Sequence, residues 1–448
     1  NLEGASTNGA LFIRVFDANG VAIPEASVLV TNSSGTININ ETTNSSGILQ
    51  LLDIPPGSNA YRISVSKGPN YSSERTYLPG DSANPNPSKP DATVIIQQVT
   101  QVSFSIDKIS SLSVESIRDT CNKYPNVGFN ISGGKVIGTG PNILKYSSDK
   151  STGSSGTLAL SQLEWDTYTF SLIDPGQDLL GTIPTNPMIL APGSSQTFSL
   201  VAVSSHPKSL LVTVTDATSG LPVTEASVSI DLSSVITTLV TGRGFFGQTD
   251  WSGGSGQGDM MDETKFFSSD GNIEYTAVPG DLRLKQILGE YQDSGELISS
   301  TIDLGSASNF YQALITPADQ PPQSGANSVR LQMATNNDNT TWNFKGPDGT
   351  GGTYYTPTNQ TINSTHNGNR YLRYKLLLAT DSPAQTPNIS DIAFTFTAGC
   401  VPPGQVMFNG LQSGTYDLTV SKSGYQTYTD TVSVSASESS KAVILQPE

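Results

Sequence analysis

The sequence predicts an all-β protein made of several β-sandwiches, and three observations lead to this prediction. Short runs rich in Val, Ile, Thr, Tyr and Phe are separated by clusters of Gly, Pro, Asn and Asp, which is the pattern of strands joined by turns. Only 14% of the 448 residues are charged, and long helix-forming runs of Ala, Leu, Glu and Lys are missing. A chain of this length exceeds one hydrophobic core, so we expect three or four domains of about 100 to 150 residues each.

An internal repeat defines the organisation of the chain. The stretch "LFIRVFDANGVAIPEASVLV" at Leu11–Val30 returns as "LLVTVTDATSGLPVTEASVSI" at Leu210–Ile230. A second half, "ILQLLDIPPGSNAYRISVSK" from Ile48, returns as "QVMFNGLQSGTYDLTVSK" from Gln405. About twenty residues join the halves of the first copy and roughly 170 join those of the second. Because loop closure costs little more for a long loop than for a short one, we expect a whole domain inserted into one loop of the second copy.

Each predicted domain is justified by its own strand pattern. In the first, "LFIRVFD" alternates apolar and polar residues, "DANG" is a hairpin signal and "ATVIIQQV" is a closing strand. The next domain contains "GTLALSQLEWDTYTFSL", which resembles "GQVMFNGLQSGTYDLTV" of the third. Both have a strand, then a corner that contains Leu, then the pair Thr-Tyr at the start of the following strand, which indicates a third, diverged copy of the repeat. The insert shows alternating strands at roughly ten-residue spacing, as a two-sheet sandwich requires. The predicted domains are residues 1–99 with a polar lead segment, 100–204, 205–237 together with 399–448, and the insert at 238–398.

Charge and hydropathy exclude several kinds of partner. The net charge of −16 argues against nucleic acid and against anionic membrane surfaces, since both need clustered Lys and Arg. No stretch of 18 apolar residues is present, so no membrane span is predicted in this chain. An acidic, weakly charged surface rich in Ser and Thr is typical of a secreted protein.

The residues that could carry chemistry do not form a catalytic pattern. His206 and His366 lie far apart, and neither belongs to a Ser-His-Asp order or a metal-ligand spacing, so we predict that the protein is not an enzyme. No cofactor is predicted, apart from a structural calcium ion that oxygen-rich loops of the insert could hold. The alternative for these acidic residues is ordinary Asp-Gly turns. The calcium candidates are Asp250, Asp259, Asp262 and Glu263.

Aromatic residues and the two cysteines leave further alternatives open. Trp251, Trp342, Tyr354 and Tyr355 could form a stacking platform for a glycan, although aromatic rings in sandwiches also fill cores. Cys121 and Cys400 could form one disulfide that closes a very long loop and clamps the second domain to the third, or remain two buried thiols.

The first strand is a candidate for contacts between subunits. A polar lead, "NLEGASTNG", precedes an apolar strand that could add to the sheet of another copy. The residues of this possible assembly strand are Leu11, Phe12, Ile13 and Val15.

Several of these motifs resemble known families. The patterns "D…G.P…ASV" (Asp17–Val28 and Asp216–Val228) and "GTYDLTVSKSGYQ" (Gly414–Gln426) resemble the carboxypeptidase regulatory-like domain. "SSTIDLGSASNFYQALI" in the insert resembles a galactose-binding-like jelly roll. The resemblance implies tandem transthyretin/Ig-like β-sandwiches with a jelly-roll sandwich inserted into the third.

The order of the motifs carries a further resemblance. "NLEGASTNGALFIRVFDANG", "LEWDTYTF" and "TGRGFFGQTDWSGGSGQ" together are similar to the exported C-terminal region of large prepilin-like surface proteins of candidate-phyla-radiation bacteria. This resemblance implies an extracellular structural protein at the cell surface, a filament or pilus-like subunit that self-assembles with identical subunits through β-strand contacts. The alternative is a monomeric surface adhesin or carbohydrate-binding module, whose inserted jelly roll binds a glycan or the surface of a host or partner cell.

Overall fold

The computed structural model describes residues 7–205, 208–357, 360–435 and 438–448. These residues form β-strands in several sandwich sheets, together with two three-residue 3₁₀ helices, so the predicted all-β class is confirmed. Within the described ranges no helix is long and apolar enough to cross a membrane. The chain divides into two compact units: unit 1 comprises Asn1–Ser116, Pro125–Pro175 and Pro184–Leu200, and unit 2 comprises Ile117–Tyr124, Gly176–Ile183 and Val201–Glu448.

The first sandwich of unit 1 contains eight strands in two sheets. They are β1 (Gly9–Phe16), β2 (Ser27–Asn32), β3 (Asn38–Thr42), β4 (Ile48–Ile54), β5 (Gly57–Ser66), β6 (Glu74–Arg75), β7 (Ala92–Val94) and β8 (Val99–Ser105). One sheet has the order β4-β1-β8, and the other has the order β3-β2-β5-β6 with β7 also paired to β5. Period-two alternation turns Leu11, Ile13 and Val15 into the core between the sheets, where all three are fully buried.

Ten further strands follow the first sandwich. They are β9 (Ser110–Ile117), β10 (Gly128–Gly133), β11 (Val136–Gly138), β12 (Ile143–Leu144), β13 (Ser147–Ser151), β14 (Thr157–Leu163), β15 (Asp166–Leu172), β16 (Gln177–Ile183), β17 (Met188–Leu190) and β18 (Ser195–Ser204). Unit 1 contains the sheet β13-β10-β15-β17, the hairpin β11-β12 and the antiparallel pair β14-β9. Strand β16 and the last four residues of β18 belong to unit 2.

Unit 2 contains a third sandwich that is interrupted by an inserted one. The third sandwich begins with β19 (Ser209–Asp216), β20 (Ser227–Leu232) and β21 (Val235–Val240). The inserted strands are β22 (Gly244–Gln248), β23 (Phe266–Ser269), β24 (Ile273–Glu274), β25 (Leu282–Leu284), β26 (Gln286–Ile287), β27 (Glu290–Tyr291), β28 (Ser294–Ser299), β29 (Ile302–Thr316), β30 (Val329–Asn336), β31 (Gln360–Thr361), β32 (Asn369–Ala379), β33 (Asn388–Ile389) and β34 (Asp391–Thr397), with 3₁₀ helices at Pro322–Ser324 and Ser364–His366. The third sandwich resumes with β35 (Gln405–Phe408), β36 (Gly414–Ser421), β37 (Tyr428–Val434) and β38 (Glu438–Leu445).

The first and third sandwiches have the same strand connections. Strand β1 pairs antiparallel with β4 and parallel with β8, and β19 likewise pairs antiparallel with β35 and parallel with β38. The second sheet of the third sandwich has the order β21-β20-β36-β37, which matches β3-β2-β5-β6 in the first. The repeated sequence therefore folds into a repeated topology.

The insertion point is defined by equivalent residues of the two sandwiches. The buried Thr43 hydroxyl donates to Ile23 O and accepts from Ala26 N, and the Thr241 hydroxyl makes the same two bonds to Val223 and Ala226. After this threonine the first sandwich needs only residues 44–46 to reach Gly47, whereas residues 242–403 precede the equivalent Gly404. A β-carbon on either glycine would collide with a strand carbonyl, and both have positive φ, so both positions need glycine.

The inserted sandwich (residues 242–403) has its own core. Strand β29 is long enough to serve two sheets: its start pairs with β32, and its second half pairs with β34. Strands β30 and β28 extend the first of these sheets, and β22 extends the second. The domain boundaries at 99, 204, 237 and 398 remain predictions.

Candidate assembly edge and placement of the predicted sites

The possible assembly strand is an interior strand, which corrects the expectation that it is free to pair with another copy. Leu11, Ile13 and Val15 are fully buried, and Phe12 is half-buried. On one side β1 is hydrogen-bonded to β4 and on the other to β8. Adding this strand to a second subunit would first require breaking both ladders. Residues 1–6 of the polar lead segment lie outside the described residues.

A different strand, β21, has no strand paired to one of its two edges within the described part of the chain. Strand β21 lies at the end of its sheet, and the two-residue turn Ser233–Ser234, with positive φ at both positions, joins it to β20. Its sequence, "VITTLV", contains no charged residue, and Val235 and Ile236 are 70% and 66% exposed. Natural proteins usually protect such edges with charges or proline, because unpaired N–H and C=O groups accept an added strand.

The sequence contained a signal for this edge that the predictions missed. The uncharged, β-branched run lies directly before Thr241, between a Ser-Ser turn and the insertion point. Its residues were divided between the third domain and the insert, so the strand was not recognised as one edge. By contrast, the equivalent strand of the first sandwich, β3, carries Glu41.

The four calcium candidates are not gathered into one site. Asp250 accepts hydrogen bonds from Ser252, and Asp259 accepts one from Asn339. Bonds from the Thr264 hydroxyl and N–H hold the pKa of Asp262 below its usual range. Glu263 accepts from Arg118 at 2.5 Å. Within the part of the chain that the structure describes, no group of three or more His, Cys, Asp or Glu side chains is arranged to hold a metal ion.

The four aromatic residues predicted to bind a glycan differ in how deeply they are buried. Trp251 and Tyr355 lie in the core of the inserted sandwich at 1% and 0% exposure, so neither can stack on a sugar, and the predicted four-residue platform is wrong in this respect. Trp342 and Tyr354 are half-buried, and each ring has a guanidinium group over it: Arg373 at 4.6 Å and Arg330 at 5.1 Å from the ring centroids. These two rings are structural cation–π partners in this conformation.

His366 has a structural environment, and His206 lies outside the described residues. The His366 ring is buried, and its Nδ1 lies 3.1 Å from the Thr335 hydroxyl. Burial, with a smaller effect of Lys345, lowers the pKa of His366 to about 4. The ring is therefore neutral near pH 7, with a hydroxyl rather than a carboxylate at Nδ1, which does not form a catalytic relay.

Cys121 and Cys400 are joined by a disulfide in the structure. Their Cα atoms are 5.2 Å apart, and 279 residues separate them in sequence. Both belong to unit 2, because Ile117–Tyr124 is part of that unit. Gly305 of β29 packs against the segment Ile117–Tyr124. A β-carbon at Gly305 would collide with Thr120 O and with the Cys121 side chain. The segment is thus held by packing as well as by the covalent bond.

Unit 2 also contains a cleft of about 860 Å³ with several carboxylates in its lining. Two of them are neutralised by arginines: Glu263 by Arg118, and Asp303 by a bidentate contact with Arg370 at 2.7 and 2.8 Å. Asp391 differs, because its Oδ1 is buried and has no hydrogen-bond partner among the residues that the structure describes. Burial raises the pKa of Asp391 to about 7.

This buried carboxyl predicts a pH dependence of stability. The folded protein holds the Asp391 proton up to about pH 7, whereas the unfolded chain releases it near its usual value of 3.8, so stability is lost as pH rises between these values. We expect Asp391→Asn to match the wild type at pH 4 and to be more stable at pH 8, by up to about 4 kcal/mol. Urea unfolding at the two pH values measures this.

The control for this prediction is Asp417→Asn, which changes an exposed carboxylate of the same unit. It should leave the pH dependence unchanged. Burial also raises the pKa of Glu438 to about 7, so part of the wild-type dependence should persist in Asp391→Asn. An equal effect of both Asn substitutions would contradict the assignment to Asp391.

Comparison with known proteins gives a match to one family model. Residues 405–448, which contain strands β35 to β38 of the third sandwich, match the model of the PEGA domain. This match covers about a tenth of the chain. No curated protein matches the sequence.

Solved structures that resemble the chain include two pilins and a protein of Bacillus anthracis. The Streptococcal ancillary pilin is 10% identical, with 98% of this chain and 99% of that chain covered and a TM-score of 0.19. A minor pilin of Streptococcus agalactiae is 13% identical, with coverages of 43% and 95% and a TM-score of 0.21. The Bacillus anthracis TIE protein is 16% identical, with 53% of this chain and 44% of that protein covered and a TM-score of 0.19.

Proposed function

We propose that this chain is a non-enzymatic structural protein of a bacterial cell surface, a subunit of an extracellular filament or pilus-like assembly. The proposed division follows the predicted domains: a β-sandwich at 1–99, a diverged second at 100–204, a split third at 205–237 plus 399–448, and an inserted jelly roll at 238–398. The two boundaries of the insert are moved to 242 and 403, so that β21 stays whole in the third sandwich. The serial repetition of one sandwich topology supports a building element better than a catalytic scaffold. The resemblance of the motif order to exported prepilin-like proteins of candidate-phyla-radiation bacteria supports the same class.

The observation that carries the proposal is the unpaired edge of β21. An exposed strand without charge can accept a strand from a neighbouring copy through main-chain hydrogen bonds, and Val235 and Ile236 would be covered in that contact. A second copy of this chain is the proposed occupant, because other sheets of the chain also end in edge strands that could supply the added strand. Assembly would therefore proceed through β-strand contacts at this edge instead of through β1.

The test replaces both exposed residues with lysine, the residue that natural edge strands use against pairing. In Val235→Lys/Ile236→Lys we expect filaments to disappear in negative-stain microscopy and the sedimentable fraction to fall at least tenfold, which corresponds to a loss of about 1.4 kcal/mol per contact. Because both side chains point into solvent, thermal unfolding of the subunit should change little.

The matched control is Leu288→Lys, which adds lysine at a fully exposed apolar residue in a turn. It should assemble like the wild type. Filaments that persist in the double lysine variant would overturn the proposed edge. Dispersed wild-type particles that bind a glycan array would instead support the alternative, a monomeric adhesin or carbohydrate-binding module.

A further inference from the structure

We propose that the Cys121–Cys400 disulfide removes the inserted sandwich from the path along which tension passes through the chain. The inference concerns a pull applied at the two ends of this chain and does not rest on the proposed contact at β21, which lies inside the closed loop. The path itself follows from covalent connectivity and can be tested on single molecules.

The connectivity gives a short route between the two ends of the chain. A pull on both ends passes along the backbone to Cys121, crosses the bond to Cys400 and continues to the C-terminal end. Residues 122–399 form a closed loop beside this route, and every strand from β22 to β34 lies within the loop. The loop holds 278 residues, so 170 of the chain's 448 residues, those at 1–121 and 400–448, can extend.

The first sandwich lies wholly on the tension path, and its geometry suits that position. Its first and last strands, β1 and β8, are adjacent and parallel, with paired residues from Ala10–Val99 to Phe16–Ser105. A pull toward the start of β1 and the end of β8 slides these strands past each other. The ladder between them is then loaded in shear, so its hydrogen bonds resist together and do not open one after another.

The third sandwich is divided between the loop and the path. Strands β19 to β21 lie inside the closed loop, whereas β35 to β38 lie beyond Cys400 on the loaded route. The parallel ladder between β19 and β38 joins the two parts over eight residue pairs. The inserted sandwich, with the cleft residues Asp303 and Asp391, is therefore spared extension while its neighbours carry the load.

The proposal is tested by pulling single molecules through peptide tags at both ends. With the disulfide intact, full extension should release at most roughly 580 Å of chain, from 170 residues at about 3.4 Å each. After reductant is added to the same molecules, extension should reach roughly 1500 Å, about two and a half times as far. A Cys121→Ser/Cys400→Ser variant should behave like the reduced protein without reductant.

A second attachment geometry is the matched control. A handle at the exposed Leu288, introduced as a non-natural amino acid, and one at the C-terminal end place the inserted sandwich on the tension path even with the disulfide intact. That sandwich should then unfold in oxidised protein. Reduction of folded wild-type protein keeps the test valid if the serine variant does not fold.

Two results would overturn the proposal. One is an oxidised molecule that extends to the full chain length when pulled by its ends. The other is a reduced molecule that stops at the oxidised length, because something other than the bond would then hold the loop. Neither depends on assembly, so failure of the proposed filament and failure of this inference are distinguishable.

Discussion

Loss of the Cys121–Cys400 disulfide is expected to lower the free energy of unfolding of unit 2 by about 5 kcal/mol, among the largest effects of any small change in this chain. The bond closes a loop with a sequence separation of 279, and the chain-entropy account of disulfides assigns about that value to a loop of this length. The shift in unfolding temperature would be roughly 10 °C for a unit of this size. The change to test is Cys121→Ser/Cys400→Ser.

Thermal unfolding followed by tryptophan fluorescence measures this effect, because the buried Trp251 reports on the inserted sandwich. Reductant should lower the wild-type midpoint to that of the serine variant and leave the variant itself unchanged. A reductant-insensitive wild type would show that the bond contributes nothing to stability. A change in the serine variant on adding reductant would show that the reductant acts elsewhere.

Local sequence patterns predicted which residues form strands, but not whether a strand lies at the edge or in the interior of its sheet. Alternation in "LFIRVF" depends only on neighbouring residues, so it predicted β1, and the structure buries Leu11, Ile13 and Val15. Whether β1 is an edge or an interior strand depends on β4 and β8, which begin at Ile48 and Val99. Nothing within the strand itself encodes those partners.

The same limit explains the predicted glycan platform. Trp251 and Trp342 are the same residue type in similar Gly- and Asp-containing surroundings, and both were assigned to one surface. Burial separates them, because Tyr374, 123 residues away in the chain, meets Trp251 inside the core. The internal repeat predicted the domain organisation more reliably. Aligning its two copies shows where the second copy is interrupted by the inserted sandwich.

Trp251 is the second position at which a substitution is expected to lower stability strongly, because a series of buried hydrogen bonds begins at its side chain. The Trp251 Nε1–H donates to the Tyr374 hydroxyl at 2.7 Å, and that hydroxyl donates to Gln248 Oε1 at 2.6 Å. The Gln248 amide in turn donates to three loop carbonyls, those of Asp250, Glu263 and Lys265. Burial raises the pKa of Tyr374, so its hydroxyl stays protonated and keeps donating. This series of hydrogen bonds therefore connects the loop after β22 to the core of the inserted sandwich.

Trp251→Ala is expected to lower the free energy of unfolding of the inserted sandwich by about 3 to 5 kcal/mol, because it opens a large cavity in the core. Tyr374→Phe keeps the ring and removes only the hydroxyl, which leaves the Trp251 donor and the Gln248 acceptor without their hydrogen bonds. Its expected cost is about 2 to 3 kcal/mol. Urea unfolding of each variant measures both values.

Trp342→Ala is the matched control, since it removes the other tryptophan of the inserted sandwich, a half-buried ring in contact with Arg373. Loss of that cation–π contact should cost only about 1 kcal/mol. The double variant Trp251→Ala/Tyr374→Phe should lose less stability than the sum of the losses in the two single variants. The reason is that Trp251→Ala alone already removes the hydrogen bond between Trp251 and the Tyr374 hydroxyl. Equal costs at the two tryptophans would contradict the buried placement of Trp251, and strict additivity would show that the hydrogen-bonded chain does not act as one network.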